Sequence, residues 1–243
     1  MDNTLYVGLS RQVTLQRSLD VTANNLANVD TAGFKVESLI FNTDPLDAPA
    51  PTNTPVQYVL DTGLARNFAP GSFETTGNPL DLAVEGDAFF TIQTAQGPVY
   101  TRDGRFAISA DGTLVDKNGN AVEAAGNATI NLDIKKSSPS IGRDGTVMQD
   151  GVQVGKISMV RFADRGALSK TGDNRFSSPA TNPPLPATDS LLRQGVVEHS
   201  NVTPVTEVTH LISISRQYER IAAMMNAASD LSKQAIDRLG RVA

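Results

Sequence analysis

Near the C-terminal end, Leu211, Ile214, Tyr218, Ile221, Met225, Ala228, Ser232, Ala235 and Leu239 recur at alternating steps of three and four residues. A helix turns once per 3.6 residues, so these positions form one apolar seam held for four heptads, with Ser232 its only polar member. Thr203 supplies N-cap chemistry, and Pro204 fits the first helical position, where a missing N–H costs nothing. At 1.5 Å per residue, residues 204–239 predict a rod of about 54 Å. Val208, Ile212, Met224 and Leu231 form a second stripe. The apolar face is then wider than one partner helix covers.

The other end of the chain has a weaker counterpart. Over residues 4–29, Leu5, Leu9, Leu15, Leu19, Leu26 and Val29 recur at mixed three and four spacing, with Gln12, Gln16 and Asn25 between them. Such a helix is marginal alone. Asn28-Val29-Asp30-Thr31-Ala32-Gly33 is helix-stop chemistry, because Asx residues and Gly tolerate left-handed backbone. Pairing the two ends predicts an α+β fold: a discontinuous N- and C-terminal helical coiled-coil stalk with an inserted, mainly antiparallel β domain. Two readings of the wide stripe stand side by side. It is the core of an internal hairpin, or it is a surface for self-association or partner helices. Its width favours the second.

Between the helices the composition changes twice. Residues 42–71 hold Asp44-Pro45, Ala48-Pro49-Ala50-Pro51, Thr54-Pro55 and Pro70-Gly71, which predicts an extended connector with one short strand at 56–60. From residue 72 onward, short β-prone runs alternate with Asp103-Gly104, Asp111-Gly112, Asn118-Gly119, Asp144-Gly145 and Asp150-Gly151. Asx-Gly pairs suit type I′ turns, so a compact antiparallel domain is expected over 72–195, able to fold alone. The expected divisions are 1–41, 42–71, 72–195 and 196–243.

Chemistry-bearing constellations are sparse. With no Cys, and only His199 and His210, thiol chemistry and multi-His or Cys-ligated metal sites are excluded. The Asp116 turn lacks the Gly and Glu of a calcium loop, having Ala121 and Asn127 there. Asp81, Glu85 and Asp87 are close in sequence, but strand alternation explains them better than a catalytic pair. No enzyme activity, cofactor or metal is expected. The net charge is −5, all of it within residues 41–199, so neither nucleic acid nor an anionic membrane is a natural partner. No transmembrane segment is expected, and the first residues have no basic region followed by an apolar run, so no cleavable signal is expected.

Ala23-Asn24-Asn25-Leu26-Ala27-Asn28-Val29-Asp30-Thr31-Ala32-Gly33-Phe34-Lys35 closely resembles the N-terminal motif of the flagellar basal-body rod and hook proteins. Gly195-Val196-Val197-Glu198-His199-Ser200-Asn201-Val202 is similar to that family's lead-in to its terminal helix. Residues 77–90 and 100–106 resemble its central β domain. The Gly77-Asn78-Pro79-Leu80-Asp81 form, the chain length and the first ten residues favour a proximal-rod member over a distal-rod or hook member.

The resemblance implies a structural subunit of the bacterial flagellum basal body. It would be exported through the flagellar type III apparatus without a cleaved signal, and would polymerise by its terminal helices into the periplasmic drive shaft. Implied partners are other rod subunits, further basal-body components and copies of itself. The expected assembly positions are Leu5, Leu9, Leu19, Asn24, Asn25, Leu26, Asn28, Gly33, Phe34, Leu211, Ile214, Tyr218, Ile221, Met225 and Leu239. The three Asn amides can bond backbone at their own helix end or in a neighbour, Gly33 supplies a backbone conformation closed to other residues, and Phe34 is an apolar anchor.

Overall fold

The computed structural model describes the backbone of residues 2–45 and 57–240, and the side chains of 6–41, 63–234 and 237–238. The fold is α+β, with a helix near each end and a mainly antiparallel β region between them. It divides into two compact units. One comprises residues 1–27, 37–66 and 203–243, and the other 28–36 and 67–202.

In the first unit, α1 (Asp2–Ala27) packs along α2 (Pro204–Gly240). Gly8 lies against the Met225 side chain, so close that a Cβ there would meet Cγ at 3.1 Å. At the other end the Asn25 amide bonds the Glu207 carboxylate. Residue 8 beside 225 and residue 25 beside 207 make the pair antiparallel. Counting outward from Gly8 and Met225, α2 outruns α1 by roughly nine residues, or about 14 Å. The first-turn N–H of Glu207 bonds the Thr203 carbonyl, placing the helix start where the Thr-Pro pair puts it.

Where it is described, the segment read as a Pro-rich connector over 42–71 is a different object; residues 46–56 lie outside the described residues. β1 (Glu37–Pro45) and β2 (Gln57–Arg66) form an antiparallel ribbon running from Glu37 opposite Arg66 to Pro45 opposite Gln57. The register slips once, between Ile40 and Phe41, opposite Gly63 and Asp61. The ribbon belongs to the helical unit and packs on α1. Pro45 is the last residue of β1, and Pro is tolerated at a strand end, where no ladder donor is required. Runs such as Leu39-Ile40-Phe41 then found a partner about twenty residues away. Residues 57–60 of the expected short strand belong to β2, and Val56 lies outside the described residues.

The second unit opens with residues 28–36 and continues through β3 (Phe73–Thr75), β4 (Leu82–Glu85), β5 (Phe89–Thr94) and β6 (Gly97–Thr101). β5 and β6 are the middle of a six-stranded sheet. Arg175–Ser177 and Ser169–Gly172 lie beyond β6, while Met159–Arg161 and Leu185–Pro186 lie beyond β5. One core gathers Leu82, Val84, Phe90, Ile92, Leu114, Val122, Ile130, Val147, Ile157 and Leu192. A second is aromatic: Phe68, Phe89, Tyr100, Phe162 and Phe176, in edge-to-face contacts.

Of the five Asx-Gly pairs, only Asp150-Gly151 has positive φ at both residues (51° and 78°), as a type I′ turn requires. Positive φ at adjacent residues also occurs at Gly126-Asn127 (84° and 59°) and at Asp173-Asn174 (49° and 60°), the latter pair containing no Gly. Gly104 serves close approach instead, since a Cβ there would sit 1.7 Å from the Leu82 carbonyl oxygen.

Candidate functional site

The motif over residues 23–35 is shared between the two units, and each part is engaged within its own. In the helical unit, Asn25 is buried at the end of α1. Its Nδ2 donates to the Glu37 carbonyl at 2.8 Å and to Glu207 Oε2 at 3.1 Å, and its Oδ1 accepts the Glu37 N–H at 3.0 Å. One amide thereby ties the exit of α1 to the starts of β1 and α2. Glu37 in turn accepts from Arg66 Nε at 2.7 Å across the ribbon.

In the β unit, residues 28–36 form a clasped loop. The Asn28 carbonyl accepts the Thr31 N–H, and its side chain accepts the Thr31 hydroxyl. Gly33 sits at φ 66°, and its N–H donates to the Glu198 carbonyl at 2.7 Å. A Cβ at Gly33 would lie 2.5 Å from the Arg102 carbonyl carbon, so both conformation and space demand Gly. Phe34 is buried beneath the Lys170 ammonium, 4.6 Å from its ring. Asn174 Nδ2 donates to the Ala32 carbonyl.

Beside this loop lies a buried ionic cluster. Lys35 Nζ donates to Glu198 Oε1 at 2.5 Å and to the Ala69 carbonyl at 2.9 Å. Arg102 donates to Glu198 Oε2 at 3.4 Å, to the Val84 carbonyl at 3.3 Å and to the Gly86 carbonyl at 2.6 Å, with Phe89 under its guanidinium. The three side chains are at most 1% exposed. Burial pushes the Lys35 ammonium below the ordinary lysine range against the pull of Glu198, and burial lowers Arg102 in the same way. Two cations share one carboxylate, so removing that carboxylate would strand both. All three residues lie inside the motifs quoted above but were not among the expected site residues. The one available signal was a charge flanked by apolar residues, as in Phe34-Lys35-Val36 and Val197-Glu198.

Expected assembly positions fall into three groups. Asn25, Gly33 and Phe34 are interior to their own units, so the alternative of bonding their own chain is the one realised for Asn25. Leu19, Leu26, Asn28, Leu211, Ile214, Tyr218, Ile221 and Met225 are half-buried, while Leu9 and Asn24 are exposed. The side chains of Leu5 and Leu239 lie outside the described residues.

The α2 seam is thus turned inward, while the second stripe faces out. Val208, Ile212, Met224 and Leu231 are all exposed, Leu231 to 66%, together with Val205 at 77%. Tyr6, Leu9 and Val13 make a matching exposed stripe on α1, and Ile40, Phe41 and Leu64 stand out from the ribbon. Of the buried hydrophobic residues among the described side chains, only Leu15 belongs to this unit.

The carboxylates weighed as a catalytic pair have structural partners. Asp81 accepts from Thr76 and Asn78, Asp87 pairs with Arg165 at 2.6 Å, and Glu85 lies 3.6 Å from Arg143. His199 pairs with Glu74 on the surface. Asp116 Oδ1 accepts the backbone N–H groups of Asn118 and Asn120, as a turn former does. Among the described residues no cluster of His, Asp and Glu could hold a metal ion, and no helix is long and apolar enough to cross a membrane.

Comparison with known proteins covers both motifs and the region between them. Residues 5–35 match the family described as flagella basal body rod protein, residues 83–149 the flagellar hook protein FlgE/F/G D1 domain, and residues 193–238 the flagellar basal body rod FlgEFG protein C-terminal region. The flagellar basal-body rod protein FlgF of Caulobacter vibrioides is 46% identical over the full length of both chains. FlgF of Mesorhizobium japonicum is 39% identical over 99% of each. The rod protein FlgG of Bacillus subtilis is 30% identical over 98% of this chain and 99% of its own. With both terminal motifs, the central domain and the full length all matching, the chain belongs to the flagellar basal-body rod and hook protein family.

Proposed function

We propose that this protein is a structural, non-enzymatic subunit of the bacterial flagellar basal-body rod, of the proximal F type, located in the periplasmic rod and assembled through its helical unit. The observation that carries the reading is the imbalance of that unit. Among its described side chains the interior holds one buried hydrophobic residue, Leu15, beside the buried polar Thr14, Thr22, Asn25, Glu37 and Glu207. Its surface holds eleven of the sixteen exposed large hydrophobic side chains among the described residues. Covering a half-exposed Leu, Ile or Met contributes on the order of 1 kcal/mol, so neighbouring subunits add stability that one chain lacks. Partners are other rod subunits and further copies of this chain, with export through the flagellar type III apparatus preceding assembly.

The outward stripe, rather than the inward seam, is the surface to test. Ile212→Asp and Leu231→Asp leave the purified monomer folded and abolish incorporation into basal bodies and motility. Motile cells with rods containing either variant would remove the stripe from the assembly surface. The G-type relatives at about the 30% level make a distal-rod position the second reading. Labelling the subunit in isolated basal bodies separates the two.

A further inference from the structure

The β unit is closed by its own last strands. Among the described residues, β4 has one ladder partner, the strand Leu191–Gln194, and β3 has one, the strand Val196–Glu198. The segments that enter the unit first depend on the same C-terminal stretch. The N–H of Gly33 is bonded by the Glu198 carbonyl, the N–H of Val36 by Asn201 Oδ1 across 165 residues, and the carbonyls of Asn67 and Ala69 by Asn201 Nδ2. The Ser72 carbonyl accepts the His199 N–H. Lys35, buried early in the chain, and Arg102, buried at its middle, share the Glu198 carboxylate, which reaches Lys35 across 163 residues. A partly folded unit without residues 191–202 would hold two unpaired buried cations and a row of unbonded backbone groups, each strongly unfavourable.

We propose that residues 191–202, with Glu198 as the latch, gate the folding of the β unit, so that a chain appearing N-terminus first stays open until this stretch is free. Sheet formation then waits for the end of the chain instead of proceeding hairpin by hairpin. The latch acts within the monomer, so it stands or falls independently of how subunits assemble.

Pulse-labelling hydrogen exchange during refolding of the full-length chain tests it. The core amides of Leu114 and Val122, which bond the Ile130 and Leu114 carbonyls, gain protection in the same kinetic phase as the latch amides of Gly33 and His199. Protection of Leu114 and Val122 in an earlier phase, while Gly33 and His199 still exchange, overturns the proposal. In full-length Glu198→Gln the melting temperature of the β unit falls by about 10 °C, and core and latch amides lose protection together. Loss confined to the latch amides would show a local clasp and no gate. If that variant does not accumulate folded, Asn201→Ala, which removes only side-chain hydrogen bonds, gives the same paired readout.

Discussion

The two units solve the burial problem in opposite ways. Among the described residues the β unit contains every buried hydrophobic residue except Leu15, pairs its buried Lys35 and Arg102 with Glu198, and clasps the motif loop with Gly33, Phe34 and Lys35. The helical unit is long, thin and half-dry. Its α1–α2 seam reaches only intermediate burial, and the large apolar side chains of Val205, Met224 and Leu231 face outward. A two-helix hairpin with a two-stranded ribbon has too little volume per unit surface to enclose a core, whereas a multi-sheet domain of about 145 residues does. The difference teaches that one chain carries both a finished domain and an unfinished one, and that the unfinished one is where neighbours add stability.

The hardest test of that contrast is to separate the units. Residues 72–195, expected from sequence to fold alone, lack Phe34, Lys35, Phe68 and Glu198. That fragment is now expected to show no cooperative melt, while residues 28–202 melt cooperatively as a monomer. A cooperative transition in the shorter fragment would mean that the buried ion cluster is dispensable. Next in size is Glu198→Gln in the full chain, which strands Lys35 and Arg102. A loss of about 3–5 kcal/mol is expected from urea unfolding of the β unit, and an unchanged midpoint would show that the cluster does not hold the unit together.

Asn25→Ala addresses the other unit. It removes three hydrogen bonds at a buried corner and leaves Glu207 and the Glu37 backbone without them. About 2 kcal/mol is expected, read as earlier melting of the helical signal with the β unit unmoved; coincident loss of both signals would merge the two units energetically. The smallest effect on the monomer belongs to Leu231→Asp, within about 0.5 kcal/mol by the same measurement. Ile221→Asp, on the inward seam, should by contrast lower helix content in the free protein. Equal effects of the two substitutions would erase the distinction between seam and outer stripe.

Much of the helical unit was legible because helices are written locally. The stepping of Leu211 through Met225 placed the seam, Thr203-Pro204 placed its start, and the separate stripe of Val208, Ile212, Met224 and Leu231 correctly signalled a surface that α1 does not cover. The ribbon was missed because its strands are specified by each other across the Pro-rich stretch, not by their own composition. Turn chemistry was half legible. Asp150-Gly151 behaves as its residues suggest, whereas Gly104 is required by a carbonyl packed against it and Asp173-Asn174 carries no glycine to mark it. Asn25 showed its importance but not its direction, since an amide bonds its own chain and a neighbour equally well.

Local periodicity and motif spelling alone determined the two helices, the β character between them and the kinship of the chain, because each depends on residues a few positions apart. Only the tertiary structure decided that Lys35, Arg102 and Glu198 share one buried site, that residues 28–36 belong to the β unit, and which stripe of α2 faces solvent. Those outcomes depend on groups brought together over more than a hundred residues. Whether a charge is paired or stranded, and a leucine covered or bare, follows from what folding places beside it.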